Sequence, residues 1–79
     1  MTINELFKLR IVGGRVVISD YEDLTPICDG ESLADIVFFH PNICNIEIKN
    51  MVASVDMKKY RKYPDVIYSY SGKFIEIFI

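Results

Sequence analysis

At 79 residues the chain has room for one hydrophobic core and not two, so it is expected to form a single compact domain over residues 1–79. Apolar residues make up 51% of it, with five Tyr and five Phe, which supply the large rings a short chain needs to build a core. No apolar run approaches the roughly 18 residues that cross a bilayer, and a net charge of −2 sets the chain apart from strongly cationic proteins that coat nucleic acid.

Thr2-x-x-Glu5 ahead of Leu6-Phe7 has the form of a capping box and predicts a short helix from Ile3 to about Arg10. A strand competes with it, because Phe7, Leu9 and Ile11 alternate with Lys8 and Arg10. In either case Gly13-Gly14 is expected to end the element. Arg15 to Asp20 reads as a strand, Tyr21-Glu22-Asp23 as a turn, and Leu24 to Cys28 as a second strand closed by Asp29-Gly30. Pro26 places that second strand at a sheet edge, since it has no N–H to give a ladder. Ser32-x-x-Asp35 repeats the capping pattern and points to a short helix over 33–39, stopped by Pro41. The run Ile36-Val37-Phe38-Phe39 suits a buried strand equally well, and periodicity cannot separate the two over four residues.

From Cys44 to Met57 the chain reads as extended but changes phase. Ile46 and Ile48 share one face, whereas Met51, Ala53, Val55 and Met57 share the other parity, so a bulge or tight turn is expected near Lys49-Asn50. Lys58 to Tyr63 reads as a basic, exposed connector ended by Pro64. Asp65 to Tyr70, Ser71-Gly72 and Lys73 to Ile79 then read as a C-terminal β-hairpin. Val66, Tyr68, Tyr70, Ile75, Ile77 and Ile79 would form its core face. Ile67, Phe74 and Phe78 fall on its other face, a candidate surface for self-association into a homodimer. The fold class expected is α+β: a small, mostly antiparallel sheet of four to five strands, one or two short helices and the terminal hairpin.

Few residues offer chemistry. Cys28 and Cys44 sit in apolar surroundings and read as reduced thiols acting as small hydrophobes. With His40 they make at most three soft ligands at loose spacings, short of a zinc site, so no metal or other cofactor is expected. His40, the sole histidine, precedes Pro41 and reads as a turn residue at the edge of the core. No phosphate loop, dinucleotide fingerprint or nucleophilic triad is present, so enzyme activity is not expected.

Charge is the uneven feature. Asp20, Glu22, Asp23, Asp29, Glu31, Asp35 and Glu47 fall between Arg15 and Lys49, a stretch without a lysine or arginine. Acids also suit turns and helix starts, yet a surface bearing Asp20, Glu22, Asp23, Asp29, Glu31 and Asp35 offers a phosphate-like field to a basic groove. Lys58, Lys59, Tyr60, Arg61, Lys62 and Tyr63 interleave cations with rings, a composition suited to single-stranded nucleic acid.

Met1-Thr2-Ile3-Asn4-Glu5-Leu6, Val16-Val17-Ile18-Ser19-Asp20 and the apolar run Phe74 to Ile79 together resemble small proteins carried by phages and mobile elements of Gram-positive bacteria. That group includes anti-CRISPR inhibitors, many of them small, acidic and non-catalytic. It shares no motif through which residues could be carried over, and the Gly13-Gly14 segment and the Lys58–Lys62 cluster depart from its loose pattern. The resemblance implies a non-enzymatic binder that occludes a host nucleic-acid-handling protein; the charge pattern, not the resemblance, offers the six acids as its contacts. The alternatives are a self-associating structural or regulatory module and a single-stranded nucleic-acid binder. The opening residues carry no basic region followed by a long apolar one, so a cytoplasmic protein without membrane contact is expected.

Overall fold

Thr2 and Glu5 close the capping box that their spacing predicts. Thr2 Oγ1 accepts from the Glu5 N–H at 3.2 Å and Glu5 Oε1 from the Thr2 N–H at 3.1 Å, which satisfies two orphan donors and starts helix α1, Ile3–Leu9. The helix turns Ile3 and Leu6 inward and ends at Arg10, in the left-handed region at φ 55°. It therefore stops short of the glycines expected to end it. Gly14, at φ +83°, turns the chain into the first strand instead.

The computed structural model describes residues 1–53 and 73–79 with their side chains, and the backbone of residues 54, 58–63 and 66–70. After α1 come β1 (Val16–Ser19), β2 (Pro26–Gly30), α2 (Leu33–Phe39), a 3-10 turn (Pro41–Ile43), β3 (Asn50–Ser54), β4 (Lys58–Tyr63), β5 (Val66–Tyr70) and β6 (Phe74–Phe78). Two helices and a four-stranded sheet make this an α+β domain.

The sheet order is β2-β1-β6-β3. β1 runs antiparallel to β2 and parallel to β6, while β6 runs antiparallel to β3. The sheet is thus mixed. All four residues of β1 are buried, as an inner strand of apolar residues requires. Pro26 sits on β2 at the sheet edge, where its missing N–H removes no ladder bond. One face packs on the helices: Val16 and Ile18 of β1, Cys28 of β2 and Ile77 of β6 meet Ile3 and Leu6 of α1 and Leu33 and Ile36 of α2.

The terminal hairpin requires correction. β6 has both edges occupied, by β1 and β3, so it has none left for β5, which pairs with β4. Ile75, Ile77 and Ile79 do face the helical core, whereas Val66, Tyr68 and Tyr70 belong to the separate β4–β5 pair. The expected turn at Ser71-Gly72 lies outside the described residues. The register explains how the pattern misled. From Asn50↔Phe78 to Ser54↔Phe74, and again from Lys58↔Tyr70 to Arg61↔Ile67, the paired numbers keep one constant total. The two ladders thus keep the same phase, although they belong to separate sheets. Lys58 to Tyr63 is accordingly a strand and not a connector.

The register of β3 runs unbroken from Asn50↔Phe78 to Ser54↔Phe74, with no bulge in it. The Lys49-Asn50 junction is tied to β6 by the Lys49 N–H, which donates to Phe78 O at 2.8 Å. No single buried face is restored. Met51, Val52 and Ala53 are all exposed on the edge strand β3, Ile46 is exposed and Ile48 is half-buried; Val55 and Met57 lie outside the described residues.

Cys28 and Cys44 are buried and form no disulfide. Cys44 Sγ donates to His40 O at 3.2 Å, which ties the end of α2 to the 3-10 turn, and burial pushes its thiol pKa up. Gly30, at the junction of β2 and α2, is needed for close approach. A Cβ there would lie 2.9 Å from Asp35 Cβ and 3.1 Å from Ser32 O. Gly30→Ala is expected to cost about 1–3 kcal/mol through this overpacking, read as a lower urea midpoint with an unchanged slope.

Candidate functional site

The six acids expected to form one surface fall into two groups at opposite ends of the β1–β2 ladder. Asp20, Glu22 and Asp23 occupy the loop beyond Ser19↔Pro26, whereas Glu31 and Asp35 follow the far pair, Val16↔Gly30, and Asp29 stands within the ladder opposite Val17, one position before that end. Five residues of extended chain separate them, roughly 15 Å, against a screening length of about 8 Å in physiological salt. They are two separate sites.

The first group is engaged in its own loop. Asp20 Oδ1 accepts from the N–H of Glu22 at 2.7 Å, closing an Asx turn. Asp23 Oδ1 accepts from Thr25 Oγ1 at 2.5 Å and from the Thr25 N–H at 3.0 Å, and these bonds, the hydroxyl's foremost, hold the Asp23 carboxyl below its ordinary pKa. A carboxylate depressed in the folded state adds stability above its unfolded pKa and loses it as pH falls through the folded value. Thr25→Val removes the larger cause, so the Asp23 midpoint in an NMR titration is expected to rise toward the ordinary range. An unmoved midpoint would contradict the assignment.

The second group adjoins helix α2. Asp35 Oδ2 accepts from the Glu31 N–H at 3.1 Å, bringing the two acids together at the helix start. Ser32, expected to cap α2 through its hydroxyl, makes no such bond. Leu33 and Ile36, three apart, turn toward the core. Phe38 and Phe39 are left outside, 78% and 68% exposed, their rings in T-shaped contact with centroids 5.0 Å apart. They stand three and four positions after Asp35, which puts acid and rings on adjoining parts of one helical surface. Beside them Phe7, Ala34, Asp35, Val37 and Phe38 line an open groove of about 530 Å³. The Arg10 guanidinium lies 6.0 Å from the centroid of the Phe7 ring on the α1 side.

Sequence reasoning placed neither phenylalanine in a site. The signal was available: if Leu33 and Ile36 face inward on a helix, positions 38 and 39 fall away from that stripe. Among the other candidates, Phe74 was expected on a free face but is 5% exposed and belongs to the interior. On that face Val17 and Ser19 of β1, the register partners of Glu76 and Phe78, are fully buried. Phe78 is half-buried on the same strand. Ile67 pairs with Arg61 in the β4–β5 ladder. The side chains of Ile67, Lys58, Lys59, Tyr60, Arg61, Lys62 and Tyr63 lie outside the described residues.

Among the described residues no cluster of three His, Cys, Asp or Glu is placed to hold a metal ion, and no helix is long and apolar enough to cross a membrane. No family model matches the chain, and no curated protein or solved structure matches it either.

Proposed function

We propose that the chain is a non-enzymatic protein-binding module that acts by occlusion, docking the α2 face on a partner whose surface combines a basic rim with an apolar recess. The observation that supports it is the pair Phe38 and Phe39, 78% and 68% exposed, with Asp35 lining the same groove as Phe38. Aromatic anchors ringed by charge are the composition of an interface hot spot: the rings supply affinity by desolvation and the carboxylates steer the encounter. Proteins that handle nucleic acid carry basic grooves for phosphate, so a host protein of that class has the complementary chemistry. An inhibitor of the anti-CRISPR type, encoded by a phage or mobile element, is the form this reading takes. Compared with the sequence expectation, the contact narrows to Asp29, Glu31 and Asp35 and gains the two phenylalanines.

Parallel affinity capture from Gram-positive bacterial lysate tests the reading, using the intact chain and a Phe38→Ala/Phe39→Ala variant. A nucleic-acid-binding protein retained by the first, lost from the second and released by competing DNA or RNA would support it. Identical capture by both chains, or capture that added salt leaves untouched, would overturn it.

A further inference from the structure

The two edges of the sheet are built differently. β2 carries Pro26, the charge of Asp29 and a register irregularity opposite Ile18/Ser19, three devices that keep foreign strands from adding to an edge. β3, Asn50–Ser54, carries no proline and no charged residue. It exposes Met51 at 45% and Val52 at 43%, and no strand flanks its outer side among the described residues. The shielding that exists stops just before it. Thr2 bridges Glu47, and the Ile48 N–H donates to Met1 O at 2.8 Å.

The direction of the free main-chain groups follows from β6. The N–H groups of Ile75 and Ile79 donate to Arg15 O and Ser19 O of the β1 side, so by the two-residue period Ile77, the register partner of Met51, also turns its main-chain groups to β1 and away from β3. The Met51 N–H donates instead to its neighbour's side chain, Asn50 Oδ1, at 2.9 Å. Met51, and by the two-residue period of a strand Ala53, therefore turn their main-chain N–H and C=O to the outer side. Laid antiparallel against itself about Val52, the segment brings these groups into register. Met51 opposes Ala53 of a second copy and Ala53 opposes Met51, so each pair exchanges two bonds. Val52 meets Val52 on the axis, and Asn50 meets Ser54. Large meets small, β-branched meets β-branched, polar meets polar, and no like charges face each other.

We infer that β3 is a self-association edge, at which two copies of this chain pair antiparallel about Val52 into one continuous eight-stranded sheet. A second copy is the occupant the pattern selects, because the segment complements its own reverse. The interface is isologous, as a two-fold dimer requires, and independent of the α2 face. In the single chain the Asn50 carboxamide occupies the Met51 N–H that the partner strand takes over, so pairing is expected to depend on concentration and to be reversible.

Sedimentation velocity of the full chain, from micromolar to millimolar, tests this. The wild type is expected to shift from monomer to twice that mass. Val52→Lys places like charges across the axis at an exposed position, and Ala53→Pro removes an outward N–H that the monomer does not use; each is expected to weaken association at least tenfold. Asn50→Ala frees the Met51 N–H and is expected to strengthen it. Circular dichroism confirms that each variant is folded, and the two disrupting variants back each other should one fail to fold. A wild type that stays monomeric throughout, or folded Val52→Lys and Ala53→Pro variants that dimerise as the wild type does, would overturn the inference. Both disrupting variants are expected to keep the partner capture proposed for the α2 face, so failure at one surface is distinguishable from failure at the other.

Discussion

Ile77→Ala is expected to destabilise the domain by about 2–5 kcal/mol, the cost of a large-to-small change in a core that relaxes only in part. Ile77 is fully buried on the inner strand β6, where it pairs with Ile18 of β1 on one side and Met51 of β3 on the other. A domain of this length holds on the order of 4–12 kcal/mol in total, so this one side chain carries a large share of the margin. Urea denaturation followed by circular dichroism gives the figure, with Ile46→Ala as the control at an exposed apolar position. The control is expected to lose less than about 0.5 kcal/mol. Equal losses at the two positions would mean that β6 does not occupy the centre of the sheet.

The second large effect is on binding and leaves stability alone. Phe38→Ala and Phe39→Ala each remove a ring that the fold does not bury, so the urea midpoint is expected to stay within experimental scatter. Truncating an aromatic anchor at the middle of an interface costs about 2 kcal/mol or more, near thirtyfold in Kd, felt mainly in the off-rate. Glu31→Lys should act on the other limb, slowing association, with an effect that fades as salt is added. Surface plasmon resonance against the captured partner separates these two rates. If Phe38→Ala also lowered the urea midpoint by a kcal/mol or more, the ring would have a structural role and the proposed anchor would be misplaced.

How far the sequence reveals this fold depends on the range of the interactions. Local chemistry was legible. The Thr2–Glu5 capping box, the strand Val16–Ser19 and the edge position of Pro26 all depend on neighbours within a few residues. The helix Leu33–Phe39 was one of two open readings and forms without the Ser32 side-chain cap that pointed to it. Strand partners were not. Val66 to Tyr70 and Phe74 to Phe78 alternate as a hairpin should, and nothing within either segment reveals that β6 serves β1, some sixty positions earlier in the chain. The acidic block failed for a related reason. Nearness in sequence suggested nearness in space, but an extended strand carries its two ends apart, so Asp23 and Glu31 stand at opposite ends of β2. The α2 face was half legible, since Asp35 was identified as a site residue while the exposed rings beside it were left with the core.

The placement of β6 between β1 and β3 also bears on the order of events during synthesis. A ribosome releases β1 and β2 long before the strand that fills the gap beside them, so the nascent chain must hold an unpaired inner edge of three apolar residues and a serine until Phe74 to Phe78 emerge. Pairs this far apart in sequence give the domain a high contact order for its size, and folding is expected to be slow compared with helical domains of equal length. Until that strand arrives, β1 is the segment most in need of a chaperone.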